Sequence, residues 1–115
     1  MFRLDARRPA RHDDAPMKLQ FRAAHSLAVD DVRKRIEDRV AHYATKYPKV
    51  PIRDSYQWRD DRTVVGSYRG GEGVVRIGEG EVLIDLELPF FARAFKSRIE
   101  EFMRKEADAV LRSPS

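Results

Sequence analysis

A histidine and a serine stand side by side at His25 and Ser26, and such a pair can begin a nucleophilic catalytic site. Nucleophilic catalysis also needs a group that orients the base and donors that stabilise an oxyanion, and the sequence offers no motif that supplies them. The pair lies where an alternating apolar pattern changes to a helical one. We therefore expect His25 and Ser26 to make local hydrogen bonds where the helix begins.

Metal, cofactor and nucleotide sites are not indicated by the other polar residues. The three histidines, His12, His25 and His42, have none of the spacings that bind zinc, and the chain contains no cysteine. The glycine-rich segment GGEGVVRIGEG, residues 70–80, matches no phosphate-binding motif and fits two hairpin turns. We expect no catalytic residue, no metal and no cofactor, and hence a protein that is not an enzyme.

The composition indicates a cytoplasmic protein with a densely charged surface. The chain of 115 residues carries 23 Lys and Arg against 19 Asp and Glu, a net charge of +4. Because most basic residues alternate with acidic ones instead of forming one patch, we do not expect nucleic acid as the partner. The apolar runs are far shorter than the roughly 20 residues that cross a bilayer, so no transmembrane segment is expected.

The periodicity divides the chain into a tail and one domain. Residues 1–16 are rich in Arg, Asp, Ala and Pro without an apolar period, and we expect a disordered tail. Residues 17–115 form the predicted single domain. Its first segment, MKLQFRAA, alternates like a half-buried strand. From Val29 apolar residues recur every three or four positions, which predicts a helix that Pro48 ends.

The second half of the chain predicts a β-meander followed by a helix. Between residues 54 and 88, four β-rich runs are separated by short breaks that contain Gly or Asp, as in consecutive hairpins. Helical spacing returns in the segment that begins PFFARAF and ends at residue 112. The order β-α-β-β-β-β-α predicts an α+β two-layer sandwich, a mostly antiparallel five-stranded sheet with two helices on one face.

An excess of large apolar side chains marks the junction between the last strand and the last helix. Phe90, Phe91 and Phe95 crowd this segment, and one helical stripe cannot bury them together with Phe102 and its neighbours. We therefore expect exposed apolar surface that binds a partner or an interface, formed by Phe90, Phe91, Phe95 and Phe102. The alternative is a hydrophobic staple in which these residues pack onto the start of the helix.

Several of these segments together resemble a known family. They are HSL before a helix with acidic residues in its first turn, YQWRDD, RGGEGVVRIGEGEVLIDLEL, and LPFFARAFKSRIEEFMRKEADAVL. In order and spacing they resemble the polyhydroxyalkanoate system proteins, also called granule-region proteins, over about residues 17–112. The resemblance implies a bacterial cytoplasmic protein that acts near storage-polyester metabolism, with granule surfaces as an expected place of action. It implies no catalytic residues.

Three functions are compatible with these sequence features. The leading hypothesis is a non-enzymatic accessory protein of polyhydroxyalkanoate storage that binds a granule surface or a granule-associated protein through the apolar junction and the last helix. The second is an RNA- or ribosome-associated protein that uses basic residues of both helices: Arg33, Arg35, Arg39, Lys46, Arg98 and Arg104. The third is a ligand pocket between sheet and helices lined by Tyr56 and Trp58, with His25 or Asp85 pointing inward. The oligomeric state is left open.

Overall fold

The computed structural model describes residues 15–112 apart from the side chain of Tyr68, so most of the predicted tail, residues 1–14, lies outside the described residues. The predicted order of helices and strands is confirmed. The elements are β1 (Met17–Ala24), α1 (Val29–Lys46), a 3₁₀ helix (Arg53–Ser55), β2 (Tyr56–Trp58), β3 (Thr63–Tyr68), β4 (Gly71–Ile77), β5 (Glu81–Leu88), a second 3₁₀ helix (Phe90–Phe95) and α2 (Lys96–Arg112).

The five strands form one open sheet in the order β1-β5-β4-β3-β2, and every neighbouring pair is antiparallel. Strands β2 to β5 follow one another as the predicted meander. β1 then pairs with β5 along its whole length, from Met17 opposite Leu88 to Ala24 opposite Glu81. This connection is possible because α1 carries the chain across the sheet from one edge to the other.

The alternation of side chains gives the sheet one apolar face and one polar face. Leu19, Val75 and Ile84 lie on the face that both helices cover, which we call the inner face. On the opposite face Asp85 accepts hydrogen bonds from Gln20 at 2.8 Å and from Arg76 at 3.0 Å. The fold is therefore the predicted α+β sandwich of two layers, with the outer sheet face turned to solvent.

The cluster of five buried residues lies at one end of the sandwich, which we call the closed end; Met17 and Leu19 of β1 are buried at the other end. At the closed end α1 begins, α2 ends and the β4–β5 turn closes the sheet. Val32 of α1 has no exposed surface, and it packs with the sheet residues Ile77, Val82 and Ile84 and with Leu111 of α2. Burying such aliphatic side chains stabilises the fold by about 1.5–3 kcal/mol each, so most of the stability arises at this end.

The opposite end, which we call the open end, contains the β3–β4 hairpin, the end of α1 and the start of α2. Three inward positions of β3 and β4 are glycines here, Gly66, Gly71 and Gly73, so at these three positions the inner face has no side chain to offer the helices. The chain leaves β5 through Pro89, and Arg93 donates a hydrogen bond to the Ala15 carbonyl before β1 at 3.3 Å. The helices therefore extend over a part of the sheet in which β3 and β4 have few inward-facing side chains.

The start of the last helix differs from the uniform helix that the spacing predicts. Residues Phe90–Phe95 form a 3₁₀ helix, and α2 begins only at Lys96. The Ala92 amide donates to the Pro89 carbonyl at 2.9 Å, a bond between residues three apart that tightens this turn. As a result Phe90 and Phe91 leave the stripe that α2 directs toward the core.

Candidate apolar binding surface

The most unusual surface of the molecule is a group of large apolar side chains at the open end. We call it the aromatic surface; it comprises Tyr47, Phe90, Phe91, Phe95 and Phe102. Their exposed fractions range from 42% for Phe90 to 63% for Phe91. Within residues 15–112 these are the exposed large hydrophobic residues, and none of them comes from the sheet. Exposed apolar residues that gather in one region mark binding surfaces more often than scattered ones do.

The aromatic surface includes all four residues that the sequence predicts for binding. Phe90, Phe91, Phe95 and Phe102 are exposed, so they do not form the alternative staple, in which they would pack beneath the helix. That they bind a partner stays a prediction. Tyr47 is an addition, because the sequence assigns it to the apolar stripe of α1. The apolar stripe of α1 continues beyond the residues that the sheet buries. No local sequence pattern marks the position at which burial by the sheet ends.

Ring contacts connect the aromatic side chains across two helices. Phe90 and Phe91 meet edge to face, with centroids 5.8 Å apart. Phe102 lies on α2 with its ring 6.5 Å from that of Tyr43, a residue of α1, and Tyr43 in turn stacks on Tyr47 at 6.1 Å. Rings at these separations attract one another beyond their shared apolar burial. The helix portion of the surface is therefore a connected row of rings and not a set of isolated side chains.

A polar clasp holds the two helices together beneath this row of rings. Arg39 of α1 donates two hydrogen bonds to the carboxylate of Glu106 on α2, from Nε at 2.8 Å and from an η nitrogen at 3.0 Å. The Tyr43 hydroxyl donates a third to the same carboxylate at 2.6 Å. Bidentate arginine–carboxylate pairs fix orientation as well as distance. The clasp therefore sets where Tyr43 and Phe102 meet.

The clasp also shifts the titration of its three members. Hydrogen bonds from Arg39 lower the pKa of Glu106, against the opposing effect of burial. Burial raises the pKa of Tyr43, and its hydrogen bond to Glu106 raises it further. The same carboxylate raises the pKa of Arg39. Near neutral pH the ion pair is therefore charged and the tyrosine hydroxyl is protonated, which is the state that the hydrogen bonds require.

Basic side chains border the aromatic surface. Lys46, in the last turn of α1, places its Nζ 5.6 Å from the centre of the Tyr47 ring. Lys96 and Arg98 are exposed in the first turn of α2, beside Phe95. Farther along, Lys105 pairs with Glu101 at 3.5 Å. Helices with an apolar face and basic flanks are suited to adsorb on interfaces.

An apolar groove of about 410 Å³ lies between α1 and the inner face of the sheet at the open end. Ile36 and Val40 of α1 form one wall, and Ile52 and Tyr56 form the other. Its floor is formed by residues of the three central strands: Val64, Gly66, Gly71, Gly73, Val75, Leu86 and Leu88. The sequence does not reveal this groove, because it arises from three glycines that face the same helix only once the strands are paired.

His25 makes the local hydrogen bonds expected at the junction between strand and helix. Its Nδ1 accepts a bond from the Leu27 amide at 3.0 Å, and its Nε2 donates to the Gly78 carbonyl at 2.9 Å. Its own backbone amide donates to the Gly80 carbonyl at 2.9 Å. The hydrogen bonds thus make Nε2 the donor and Nδ1 the acceptor, and the side chain ties the end of β1 to the β4–β5 turn.

Ser26 does not cap the helix, contrary to the expectation for that position. The residue before α1 is Ala28, no side chain caps the helix there, and Ser26 is exposed. The physical reason is that the His25 ring already accepts the amide at Leu27, so the turn is closed one residue after Ser26. The acidic side chains of Asp30 and Asp31 occupy the first turn, where the helix dipole favours them.

Trp58 is part of the core and not an open stacking platform. It packs against the buried cluster, and the guanidinium of Arg33 lies 4.4 Å from its ring centre. Arg33 also lies 3.5 Å from Asp61. One face of the indole is thus covered by the guanidinium of Arg33.

The adjacent aspartates lie in a turn, as Asp60 accepts a hydrogen bond from the Arg62 amide at 2.8 Å.

The predicted ligand pocket with inward polar groups is wrong in its details. Tyr56 lines the groove, but Trp58, His25 and Asp85 do not belong to its lining. His25 is held at the closed end by Gly78, and Asp85 lies on the outer sheet face. The strand alternation explains the error for Asp85, because its neighbours Ile84 and Leu86 are the inward residues.

The basic residues proposed for RNA are partly engaged within the protein. Arg39 is bound in the clasp, Arg33 covers Trp58, and Arg35 donates to the Val110 carbonyl at 3.0 Å. These contacts orient the guanidinium groups toward protein acceptors and rings. Phosphate binding needs several cations that converge on a backbone, so the geometry favours this function less than the apolar one.

Within residues 15–112, no group of three or more His, Asp or Glu side chains is arranged to hold a metal ion. None of the helices in the same part of the chain has the length and apolar character needed to span a membrane.

Comparison with known proteins identifies the family. A family model described as "Putative polyhydroxyalkanoic acid system protein" matches residues 19–111. No curated protein and no solved structure matches the chain. The matched region runs from β1 to the last turn of α2 and so includes the clasp, the groove and the aromatic surface. The chain belongs to the polyhydroxyalkanoic acid system family.

Proposed function

We propose that the protein is a non-enzymatic accessory protein of polyhydroxyalkanoate metabolism that adsorbs on the polyester surface of storage granules through its aromatic surface. Family membership associates the chain with this metabolism. The observation that carries the proposal is the placement of its exposed large hydrophobic side chains at one end of the molecule. A polyester surface is uncharged and apolar, and such a surface can cover half-exposed phenylalanine rings without requiring a shaped pocket.

The energetics of these rings support surface adsorption. Phe91 and Phe95 each have more than half of their surface exposed. Removing the exposed area of one such ring from water, roughly 100 Å², contributes about 2–3 kcal/mol at about 25 cal/mol per Å². Several rings acting together therefore suffice for reversible adsorption, while the basic side chains at the border stay in water.

The polyester surface is favoured over a protein partner because of the composition of the aromatic surface. Tight protein interfaces combine apolar anchors with matched hydrogen bonds at a polar rim. Phe90, Phe91 and Phe95 instead project from a short 3₁₀ helix whose polar side chain, Arg93, donates to the Ala15 carbonyl of the same protein. A patch of this kind gives area without directional contacts, as adsorption on a polymer requires.

The experiment is co-sedimentation of the purified protein with protein-free particles of poly(3-hydroxybutyrate). Replacing two rings in Phe91→Asp/Phe95→Asp should weaken adsorption by at least about tenfold, since each carboxylate must lose water on contact. Phe91→Leu/Phe95→Leu should retain most of the binding. The matched control, Gln57→Asp/Ser67→Asp, adds the same charge at exposed positions of the sheet and should bind like the parent protein.

The dependence of binding on salt concentration distinguishes this function from phosphate binding. Apolar adsorption should be nearly unchanged between low and moderate ionic strength, whereas binding to RNA falls steeply over that range. Equal adsorption by the folded double-aspartate variant and the parent protein would show that the aromatic surface is not the contact.

A further inference from the structure

The groove at the open end exists because two glycines face each other across the sheet. Gly66 of β3 pairs with Gly73 of β4, and both positions point to the inner face. A Cβ atom at Gly66 would lie 3.2 Å from the Ser55 carbonyl oxygen, and one at Gly73 would lie 3.1 Å from Leu86 Cδ2. Backbone therefore forms this part of the floor, and any side chain would be crowded there.

The inward-facing lining carries no charge. The walls and the side chains of the floor are aliphatic or aromatic, and the Ser55 hydroxyl already donates to the Ile52 carbonyl at 2.8 Å. Glu72 alternates with Gly71 and Gly73, so it belongs to the outer face of the sheet. A charged group inside the groove would lose water and gain no partner, which is strongly unfavourable. Complementarity therefore requires an uncharged occupant.

The size of the groove selects a small ligand. A volume of about 410 Å³ lies within the usual range for small-molecule sites. Only one turn of α1, from Ile36 to Val40, forms the helical wall, so the groove accommodates a short segment of a chain.

We propose that this groove binds one segment of an uncharged aliphatic ester chain, as in an oligomer of hydroxyalkanoate units. This inference rests on the proposed function and extends it, because it places a single chain in the groove while the aromatic surface rests on the bulk polymer. The methyl and methylene groups face Ile36, Val40 and Leu86. The ester oxygens face the open mouth, where water satisfies them.

The test is a titration of the full chain with the methyl ester of a short 3-hydroxybutyrate oligomer, followed by amide NMR. The amides of Gly66, Gly71 and Gly73 resonate apart from most others, and they should shift together with those of Ile36 and Val40. The free acid of the same oligomer reports on charge and should bind more weakly. No shift at the three glycines, or shifts confined to the aromatic surface, would overturn the proposal.

Two variants check the site independently. Val40→Trp fills the groove from the α1 wall and should weaken oligomer binding by at least about tenfold, the loss expected when two methylenes remain in water. The matched control is Val74→Trp, the same substitution on the outer face of β4, which should bind normally. If Val40→Trp does not fold, Ile52→Asp places a carboxylate on the other wall and should weaken binding similarly.

The two proposals fail in different ways. Phe91→Asp/Phe95→Asp should lose adsorption to particles yet keep the glycine shifts with the soluble oligomer, and Val40→Trp should show the reverse. Failure of the parent protein to bind the oligomer, with adsorption to particles intact, removes the groove proposal alone. Glycine shifts in a protein that does not adsorb on particles support the groove site and remove the surface function.

Discussion

The closed and open ends of the sandwich contain the same two helices and the same sheet, yet they bury very different amounts of apolar surface. At the closed end the five core residues are at most 8% exposed, whereas at the open end the aromatic side chains are at least 42% exposed. The helices supply apolar residues at both ends. The sheet supplies Ile77, Val82 and Ile84 at one end and Gly66 and Gly73 at the other.

This difference shows that an amphipathic stripe becomes a core only where the facing layer has side chains to meet it. Ile36 follows Val32 on the stripe of α1 and still packs against the buried cluster, but Ile36 and Val40 both also line the groove over the glycines. Close packing of side chains from both layers is what stabilises a core. The closed end therefore holds the fold together, and the open end is left available for binding.

The largest expected effect comes from breaking the closed end. Leu111→Ala removes a side chain that is 8% exposed and packed on Val32, and we expect a loss of about 2–5 kcal/mol in the free energy of unfolding. Phe102→Ala, on the same helix at the open end, should cost no more than about 1 kcal/mol, because half of its surface is already in water. Urea denaturation of both variants measures the contrast.

Equal losses for the two variants would contradict this division of the molecule. The slope of the denaturation curve should also stay the same in both variants, since neither changes the surface exposed on unfolding by much.

The clasp between the helices should have the next largest effect, and its effect should depend on pH. Glu106→Gln removes the charge that Arg39 contacts, and we expect a loss of about 1–3 kcal/mol near neutral pH. Because the folded state lowers the pKa of Glu106, the stabilisation is present above the ordinary value of 4.5 and is lost as the pH falls through the lower folded-state value. Thermal unfolding at pH 7 and near pH 3 compares the two proteins.

The difference between parent protein and Glu106→Gln should therefore shrink at low pH. A difference that stays constant down to pH 3 would show that the carboxylate is not held ionised by the clasp. Asp108→Asn is a suitable control, since its partner Arg112 is one turn away on the same helix and both side chains are more than half exposed.

Much of the fold can be predicted from the sequence because its signals are local. The alternation in MKLQFRAA, the three- and four-residue steps after Val29 and the glycine breaks after Tyr68 each depend on a few neighbouring residues. The family resemblance over residues 17–112 agrees with the match to residues 19–111. The sequence analysis does not assign a partner to the first strand, and the pairing of β1 with β5 is a finding of the structure.

The parts that cannot be predicted depend on how distant residues meet. The clasp joins Arg39 and Tyr43 to Glu106, which are more than sixty positions apart, and charged residues at those positions are indistinguishable from ordinary surface residues in sequence. The groove requires Gly66 and Gly73 to face one another across a hairpin. The sequence can indicate that too many phenylalanines crowd the junction, but not that Tyr47 joins them.

His25 and Ser26 offer a smaller test at the closed end. His25→Ala removes two hydrogen bonds, to the Leu27 amide and the Gly78 carbonyl, and we expect a loss of about 1 kcal/mol. Ser26→Ala should be within about 0.5 kcal/mol of the parent protein because that side chain is exposed and caps nothing. Adsorption to polyester particles should be unchanged in both variants. A folded His25→Ala variant that no longer adsorbs would show that the binding surface lies at the closed end, contrary to the proposal.

The smallest expected effect compares the two β-turns that close the sheet. At the closed end the residue with a positive φ is Gly80, at +98°, whereas at the open end Arg69 and Gly70 have φ values of 50° and 84°. Two consecutive positive φ angles in a two-residue hairpin favour Asn-Gly, and arginine adopts this conformation at a cost. Arg69→Asn should therefore raise the free energy of unfolding by about 0.5 kcal/mol, measured by thermal unfolding. Gly70→Ala should lower it, because alanine is strained at that angle and its Cβ would meet Pro89 at 3.4 Å. If Arg69→Asn is instead destabilising, the interactions of the arginine side chain stabilise the fold by more than its positive φ destabilises it. The hairpin would then contribute to the stability of the open end.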